Sequence, residues 1–288
     1  MTASSSHPAA HTSAEQSGPD LSGVRIALIG AGNMGGPVAR AFLSAGVTAE
    51  NLQIVNSTSA SSERAAAELG ATAASRSEAL EGADVVVLGV KPYQVLDLLS
   101  KIRDSLPAGA VVISLAAGVT IAAMEAALPA GMPVERAMPN TPIAVGEGVV
   151  GLMRGTSVED AQHALVHALF ARAGVAVDIT EEQVHAFIGA AGSLPAFTYL
   201  IIEAMTDEAV RLGLKRDLAA SLIQQTVRGA ATVLSDTGAH PAAAKNAVSS
   251  PGGTTVQGLA AMERAGVRAG VAGAMAAAAD HSRQMAGD

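Results

Sequence analysis

Over the first 180 residues, hydrophobic positions fall in short unbroken runs, each closed by glycine or by a polar turn. Val24-Arg25-Ile26-Ala27-Leu28-Ile29 ends at Gly30, and Asp84-Val85-Val86-Val87-Leu88-Gly89-Val90 is the cleanest run in the chain. Leu52–Val55, Ala110–Leu115 and Val134–Met138 also read as strands, each carrying polar positions (Gln53, Ser114, and Glu135 with Arg136). Runs apolar at every position suit strands buried on both faces, as in a parallel sheet. Between them lie helix-like stretches, Met34–Ala45 before Gly46 and Ser61–Leu69 before Gly70, each with glycine as a C-terminal stop. Strands alternating with helices predict an α/β fold with a doubly wound parallel sheet. Gly148–Met153 and Val175–Ile179 read as further strands, flanking a helix that begins after Ser157 and ends near Gly174. The pattern then changes. Thr180-Glu181-Glu182-Gln183 has capping-box spacing, and only helical stretches follow. The chain is expected to comprise a tail over 1–22, a dinucleotide-binding domain over 23–179 and an all-α domain over 180–288. The tail, rich in Ser, Ala, His, Thr and Pro, reads as disordered.

Composition narrows the function. The 288 residues are 49% hydrophobic but only 2% aromatic, with no Trp, so alanine and glycine must supply closely packed helices. Acidic residues outnumber basic ones 26 to 18, a net charge of −8, and no Lys/Arg cluster suggests nucleic-acid binding. An anionic ligand must therefore be drawn in by local groups rather than by the global field. The absence of cysteine excludes disulfides, thiolate catalysis and zinc–cysteine sites. No run of about 18 apolar residues is evident, so no transmembrane helix is expected, and the first twenty or so residues lack the apolar core of a signal peptide. A soluble cytoplasmic protein is the resulting expectation.

Several segments carry candidate chemistry. Gly30-Ala31-Gly32-Asn33-Met34-Gly35 is G-x-G-x-x-G placed between a predicted strand and a predicted helix. The first glycine allows the tight turn, the second lets a pyrophosphate reach the backbone, and the third permits close helix–strand packing. After the second strand, where an NAD site carries Asp or Glu for the ribose, the chain has Asn56-Ser57-Thr58-Ser59. Amide and hydroxyl donors without a carboxylate suit a 2′-phosphate, favouring NADP over NAD, although no arginine adjoins them in sequence. Gly89-Val90-Lys91-Pro92 follows the strongest strand, at the end where an open sheet binds its ligand. There Lys91 either faces the cofactor, shapes the loop or is simply solvated. Arg136-Ala137-Met138-Pro139-Asn140-Thr141-Pro142 reads as a rigid cofactor wall. Finally, Val248-Ser249-Ser250-Pro251-Gly252-Gly253-Thr254-Thr255 leads into a helix-like segment from Val256 to Ala265. That order presents free backbone N–H groups at a helix N-terminus, suited to a small carboxylate or phosphate.

IGAGNMG (29–35), GVKP (89–92), SLAAGVT (114–120), RAMPNTP (136–142), EAMTDEAVRLGL (203–214) and VSSPGGTT (248–255) together resemble, in order, the pyrroline-5-carboxylate reductase family. The resemblance spans the folded chain from Val24 to beyond Gly270. It implies a Rossmann domain followed by a helical substrate and dimerisation domain, with intertwined dimers commonly assembled into a decamer. It also implies hydride transfer from NAD(P)H to the C=N carbon of 1-pyrroline-5-carboxylate, giving L-proline. Ser250, Gly252, Gly253 and Thr254 would hold the substrate carboxylate, and Thr255 would lie near the ring nitrogen. Asn246 matches a residue bridging cofactor and substrate, and Glu181 a substrate-site acid. Ser57, Val90, Lys91, Pro92 and Ala117 fall on cofactor-contact positions. The chain departs from the family at Leu194, where glycine is usual in the helix break, and at Ser57, where many members carry arginine.

Reducing a protonated C=N needs no strong acid. The carbon must be held about 3–3.5 Å from the hydride donor with water excluded, and a threonine hydroxyl can orient the nitrogen or relay its proton. Rival readings are a hydroxyacid dehydrogenase, which would want a helical lysine in the helix break, a reductase of another cyclic imine, and a catalytically silent nucleotide-binding protein. His163 and His167, at i and i+4, have no third metal ligand nearby in sequence and read as a surface pair. Glu203 and Asp207 read as structural or interfacial. His185 reads as partly buried or solvated, and Met262, Met275 and Met285 as packing surface.

Overall fold

The computed structural model describes residues 19–286, so residues 1–18 of the expected tail lie outside the described part. Next to them Leu21 is buried against the sheet layer. An eight-stranded sheet runs in the order β3-β2-β1-β4-β5-β6-β7-β8. Its strands are β1 (Ile26–Ile29), β2 (Leu52–Val55), β3 (Thr72–Ala73), β4 (Val85–Leu88), β5 (Val111–Ser114), β6 (Val134–Pro139), β7 (Gly148–Arg154) and β8 (Gly174–Asp178). All four residues of β4 are fully buried, with Val85 and Val87 in one core layer and Val86 and Leu88 in the other. Successive side chains point to opposite faces, so an unbroken apolar strand feeds both layers.

On one face pack α1 (Gly35–Ala45), α2 (Ser59–Leu69) and α6 (Asp160–Phe170). Phe42 of α1 meets Phe170 of α6 edge to face, ring centroids 5.1 Å apart. The other face is covered by α3 (Arg76–Leu80), α4 (Pro92–Ile102), α5 (Ile121–Ala127) and α7 (Val184–Phe187). The sheet is not wholly parallel. β7 runs antiparallel to β6, pairing Glu135 with Arg154 and Pro139 with Val150. The short turn through Thr141–Val145 is too brief for the crossover a parallel neighbour requires. The two-residue β3 escapes any periodicity argument.

A π-helical turn, Ile188–Gly192, leads into α8 (Leu194–Arg211). Asn140 of the β6–β7 turn is buried and donates to Ala191 O at 3.0 Å while accepting from Val149 N at 2.8 Å. The remaining helices are α9 (Arg216–Thr237), α10 (Pro241–Ala247), α11 (Thr254–Arg264) and α12 (Val267–Ala286). By compactness the chain forms two units. One holds the sheet, runs to Pro195 and takes up the chain again at Met275; the other is Ala196–Ala274. In the helical unit only Thr206 and Ala219 are buried, while Tyr199, Leu200, Leu218, Leu222 and Val233 are exposed. Glu181–Arg211 is moreover long and apolar enough to meet the length and composition of a membrane span, with mean hydropathy 1.4 in its best window. That corrects the expectation that no stretch qualifies, because Ala between the larger apolar residues keeps the mean high without an unbroken run.

Candidate active site

The glycine loop forms the floor of a cleft of about 670 Å³ at the C-terminal ends of β1, β2, β4 and β5. Gly30 has φ +101°, and a Cβ there would stand 2.7 Å from the backbone of Gly89. A Cβ on Gly35 would stand 2.1 Å from Gly30 O, whereas one on Gly32 meets nothing within 4 Å. The turn, the open approach and the tight packing thus fall on the three glycines in the predicted order.

The second-strand loop does something the sequence reading missed. Asn56 Oδ1 accepts from Ala31 N at 2.9 Å, and Asn56 Nδ2 donates to Ser61 O at 3.1 Å. Asn56 therefore braces the glycine loop, and its side chain is spent within the protein. Thr58 is likewise engaged, accepting from Ser61 N at 3.2 Å as the N-cap of α2. Ser57 remains exposed in the cleft, and Arg76, the first residue of α3, lines the cleft beside it. The expectation that no arginine stands beside these donors holds only along the chain; β3 and α3 bring one there.

Val90, Lys91 and Pro92 line the same cleft, as do Ala117, Asn33 and Met34. Pro92 opens α4, and Lys91 caps it with its N–H donated to Gln94 Oε1 at 3.1 Å, leaving its side chain exposed. Lys101 also faces the cleft, held 2.6 Å from Asp97. Among the described residues none of 136–142 lines this cleft, so the expected cofactor wall lies elsewhere. Arg136 is instead buried and ion-paired with Glu181. Glu181 Oε1 also accepts from Ile121 N at 3.1 Å, anchoring the start of α5 just after Ala117 and Gly118. These groups line a second cavity, of about 420 Å³, with Thr120 and His185. His185 is buried, with Nδ1 2.9 Å from Ser282 Oγ. Leu194, at the start of α8, is partly exposed.

The remaining predicted residues, Asn246 and Ser250–Thr255, lie on the helical unit. α10 ends at Ala247, and Ser249 N donates to Asn246 O at 3.0 Å. Gly253 is the N-cap of α11, and no side chain caps this helix. Thr255 is thus the second helical residue and exposed, so its hydroxyl has no capping duty. Gly253 N already donates to Ser250 O at 3.0 Å, because the turn closes on itself. A Cβ on Gly253 would stand 2.6 Å from Ser250 Oγ. First-turn N–H groups lack intrahelical partners, which leaves those of Thr254 and Thr255 for an anion.

His163 and His167 are not a bare surface pair. Asp178 of β8 and Glu135 of β6 close around them, brought there by the sheet from distant parts of the chain. Glu203 is exposed, and Asp207 pairs with Arg216 at 2.7 Å. Met262 and Met285 are exposed, and the Met275 carbonyl approaches Gly189 so closely that a Cβ there would stand 2.7 Å from it.

A sheet of Rossmann type with a glycine-floored, cation-lined cleft and a separate helical unit defines a dinucleotide-dependent oxidoreductase. Residues 25–118 match the family model described as NADP oxidoreductase, coenzyme F420-dependent, and residues 181–285 that for pyrroline-5-carboxylate reductase dimerisation. Pyrroline-5-carboxylate reductase of Corynebacterium melassecola is 36% identical over 90% of this chain and 98% of its own. Among solved structures, a pyrroline-5-carboxylate reductase from Coxiella burnetii superposes with TM-score 0.85 at 31% identity, covering 91% of this chain and 98% of that one. Plasmodium falciparum pyrroline carboxylate reductase, solved with NADP bound, gives TM-score 0.82 at 26% identity over 92% and 99%. The chain belongs to the pyrroline-5-carboxylate reductase family.

Proposed function

We infer that this protein reduces 1-pyrroline-5-carboxylate to L-proline, the last step of proline synthesis, with NADPH as the favoured reductant and NADH as an alternative. The observation that carries this reading is the presence in one chain of a complete dinucleotide cleft and an intact Ser250–Thr255 turn capping α11. When bound, the cofactor supplies the hydride. The residues of the chain hold, orient and shield. Backbone N–H groups of Gly252 and Thr254, with the Ser250 hydroxyl, receive the substrate carboxylate, favoured by the dipole of α11. Gly253 contributes the turn geometry, since its own N–H is used. The Thr255 hydroxyl orients the protonated ring nitrogen, which keeps its proton as the carbon accepts hydride; the neutral secondary amine so formed takes a second proton from solvent to become the ammonium form. The family resemblance gives Asn246 contacts to cofactor and substrate, and within the sheet unit Glu181 fixes Arg136 and the start of α5.

The family's dimerisation segment covers residues 181–285, and the chain assembles as an oligomer. The exposed apolar residues of α8 and α9 are the surface such assembly needs. Dimers assembled into a decamer, a cytoplasmic location without membrane attachment, and a division into residues 23–179 for nucleotide and 180–288 for substrate and dimer complete the proposal. The deciding assay follows oxidation of NADPH and of NADH, separately, with 1-pyrroline-5-carboxylate, and identifies the product. Turnover to proline is expected; nucleotide binding without turnover would overturn the reading and direct attention to Leu194 and another cyclic imine.

Arg76 and Ser57 set the cofactor preference in this proposal, because a guanidinium beside a hydroxyl suits the ribose 2′-phosphate. Arg76→Ala is expected to raise KM for NADPH roughly tenfold and leave KM for NADH nearly unchanged. Equal effects on both cofactors would make Arg76 a structural residue.

A further inference from the structure

Under α6, four side chains that imine reduction does not use come together. Glu135 leaves β6 fully buried at 0% exposure. His163 and His167 leave successive turns of α6, and Asp178 ends β8. His163 Nδ1 lies 2.9 Å from Glu135 Oε1, and its Nε2 lies 3.0 Å from Asp178 Oδ1. His167 Nε2 reaches the same Oδ1 at 2.7 Å. The rings stand nearly perpendicular with centroids 4.8 Å apart, and ligand atoms of the two histidines and Asp178 all fall within 4.8 Å of one another. Glu135 Oε2 is buried without a hydrogen-bond partner.

A neutral imidazole has one N–H. If His163 donates Nδ1–H to a Glu135 carboxylate, its Nε2 turns a lone pair towards Asp178 Oδ1. Two lone pairs at that separation repel unless a proton or a cation lies between them. A carboxylate behind one histidine, a second histidine at i+4 and a further carboxylate converging on one point form the carboxylate–histidine–metal arrangement.

We propose that His163 Nε2, His167 Nε2 and an Asp178 oxygen bind one divalent cation of the zinc type, with Glu135 accepting from His163 Nδ1–H and water as fourth ligand. Two imidazoles select zinc over magnesium or calcium, which prefer all-oxygen shells. Bonds of about 2.0–2.1 Å set tetrahedral ligand atoms roughly 3.3 Å apart. Asp178 must therefore withdraw slightly, and its side chain is 65% exposed. Arg154, the nearby cation, is drawn off by Asp160 at 2.7 Å and by Val158 O. β8 is an edge strand, and the cation would staple it to α6, away from the cofactor cleft. The site's role is structural.

The test uses the full chain stripped of metal and titrated with zinc chloride, with magnesium chloride as control, by calorimetry and thermal melting. The wild type is expected to take up one zinc with Kd below about 1 µM, to melt higher with zinc, and to ignore magnesium. His167→Ala and Asp178→Asn are expected to weaken zinc binding at least tenfold while NADPH turnover persists. Glu135→Gln, which replaces no ligand and alters only the acceptor behind His163, is expected to weaken it about 10–100-fold. Cobalt(II) should give the intense visible bands of tetrahedral coordination in the wild type and lose them in His167→Ala. No zinc uptake by the wild type, or uptake unaltered in His167→Ala and Asp178→Asn, would overturn the proposal.

Discussion

Gly35→Ala is expected to abolish NADPH binding and to lower the melting temperature on the order of 10 °C. The added Cβ would sit 2.1 Å from Gly30 O and 3.3 Å from Leu28 Cδ2. Neither neighbour can yield cheaply. Gly30 is pinned by its N–H to Val55 O at 2.8 Å, and the adjacent Gly89 N is bound to Ile29 O at 2.8 Å. Relief requires moving α1 or the loop between β1 and α1, at roughly 3 kcal/mol or more. The companion variant separates fold from ligand. Gly32→Ala has open space for its methyl group, so its melting temperature should match the wild type while NADPH affinity falls about 10–100-fold, because the pyrophosphate loses its approach to the backbone. If Gly35→Ala melted normally and bound NADPH, the packing argument for this glycine would fail.

Thr255→Ala is expected to lower kcat with pyrroline-5-carboxylate by roughly 10–100-fold, with little change in KM for NADPH. The structure removes the competing explanation for this threonine. Gly253 holds the N-cap position of α11, and no side-chain oxygen caps the helix, so loss of the hydroxyl should not unravel the first turn. Thr255→Ser retains the hydroxyl and should recover most of the rate. Unchanged kinetics in Thr255→Ala would remove it from the reaction, and a matching loss of thermal stability would return it to a structural role.

The strands that pack on both faces were the most legible part of the chain, because burial on two sides favours apolar residues at every position and leaves runs such as Val85–Leu88. The glycine fingerprint was legible for a related reason: Gly30 and Gly35 face backbone at distances that no side chain tolerates, and that demand is local. What escaped was brought together by topology. Arg76 reaches the cleft only because β3 pairs with β2. Glu135, His163 and Asp178 meet through the β6-β7-β8 order. The antiparallel turn of β7 left no mark in its apolar pattern, since buried strands read alike in either direction. Asn56 shows the opposite failure, a polar residue at a cofactor position whose groups are spent on Ala31 and Ser61. Its amide is interchangeable on paper with that of a ligand contact, and only geometry separates them.

The near absence of buried side chains in Ala196–Ala274 has a consequence for how this protein behaves in a population. A unit that cannot bury its own apolar residues acquires its stability from another copy, so folding and association are one event and the melting temperature rises with protein concentration. Dilution then acts as a denaturant. A cell that makes a damaged copy alongside a sound one spreads the defect, because each sound chain must complete itself with whatever partner it meets.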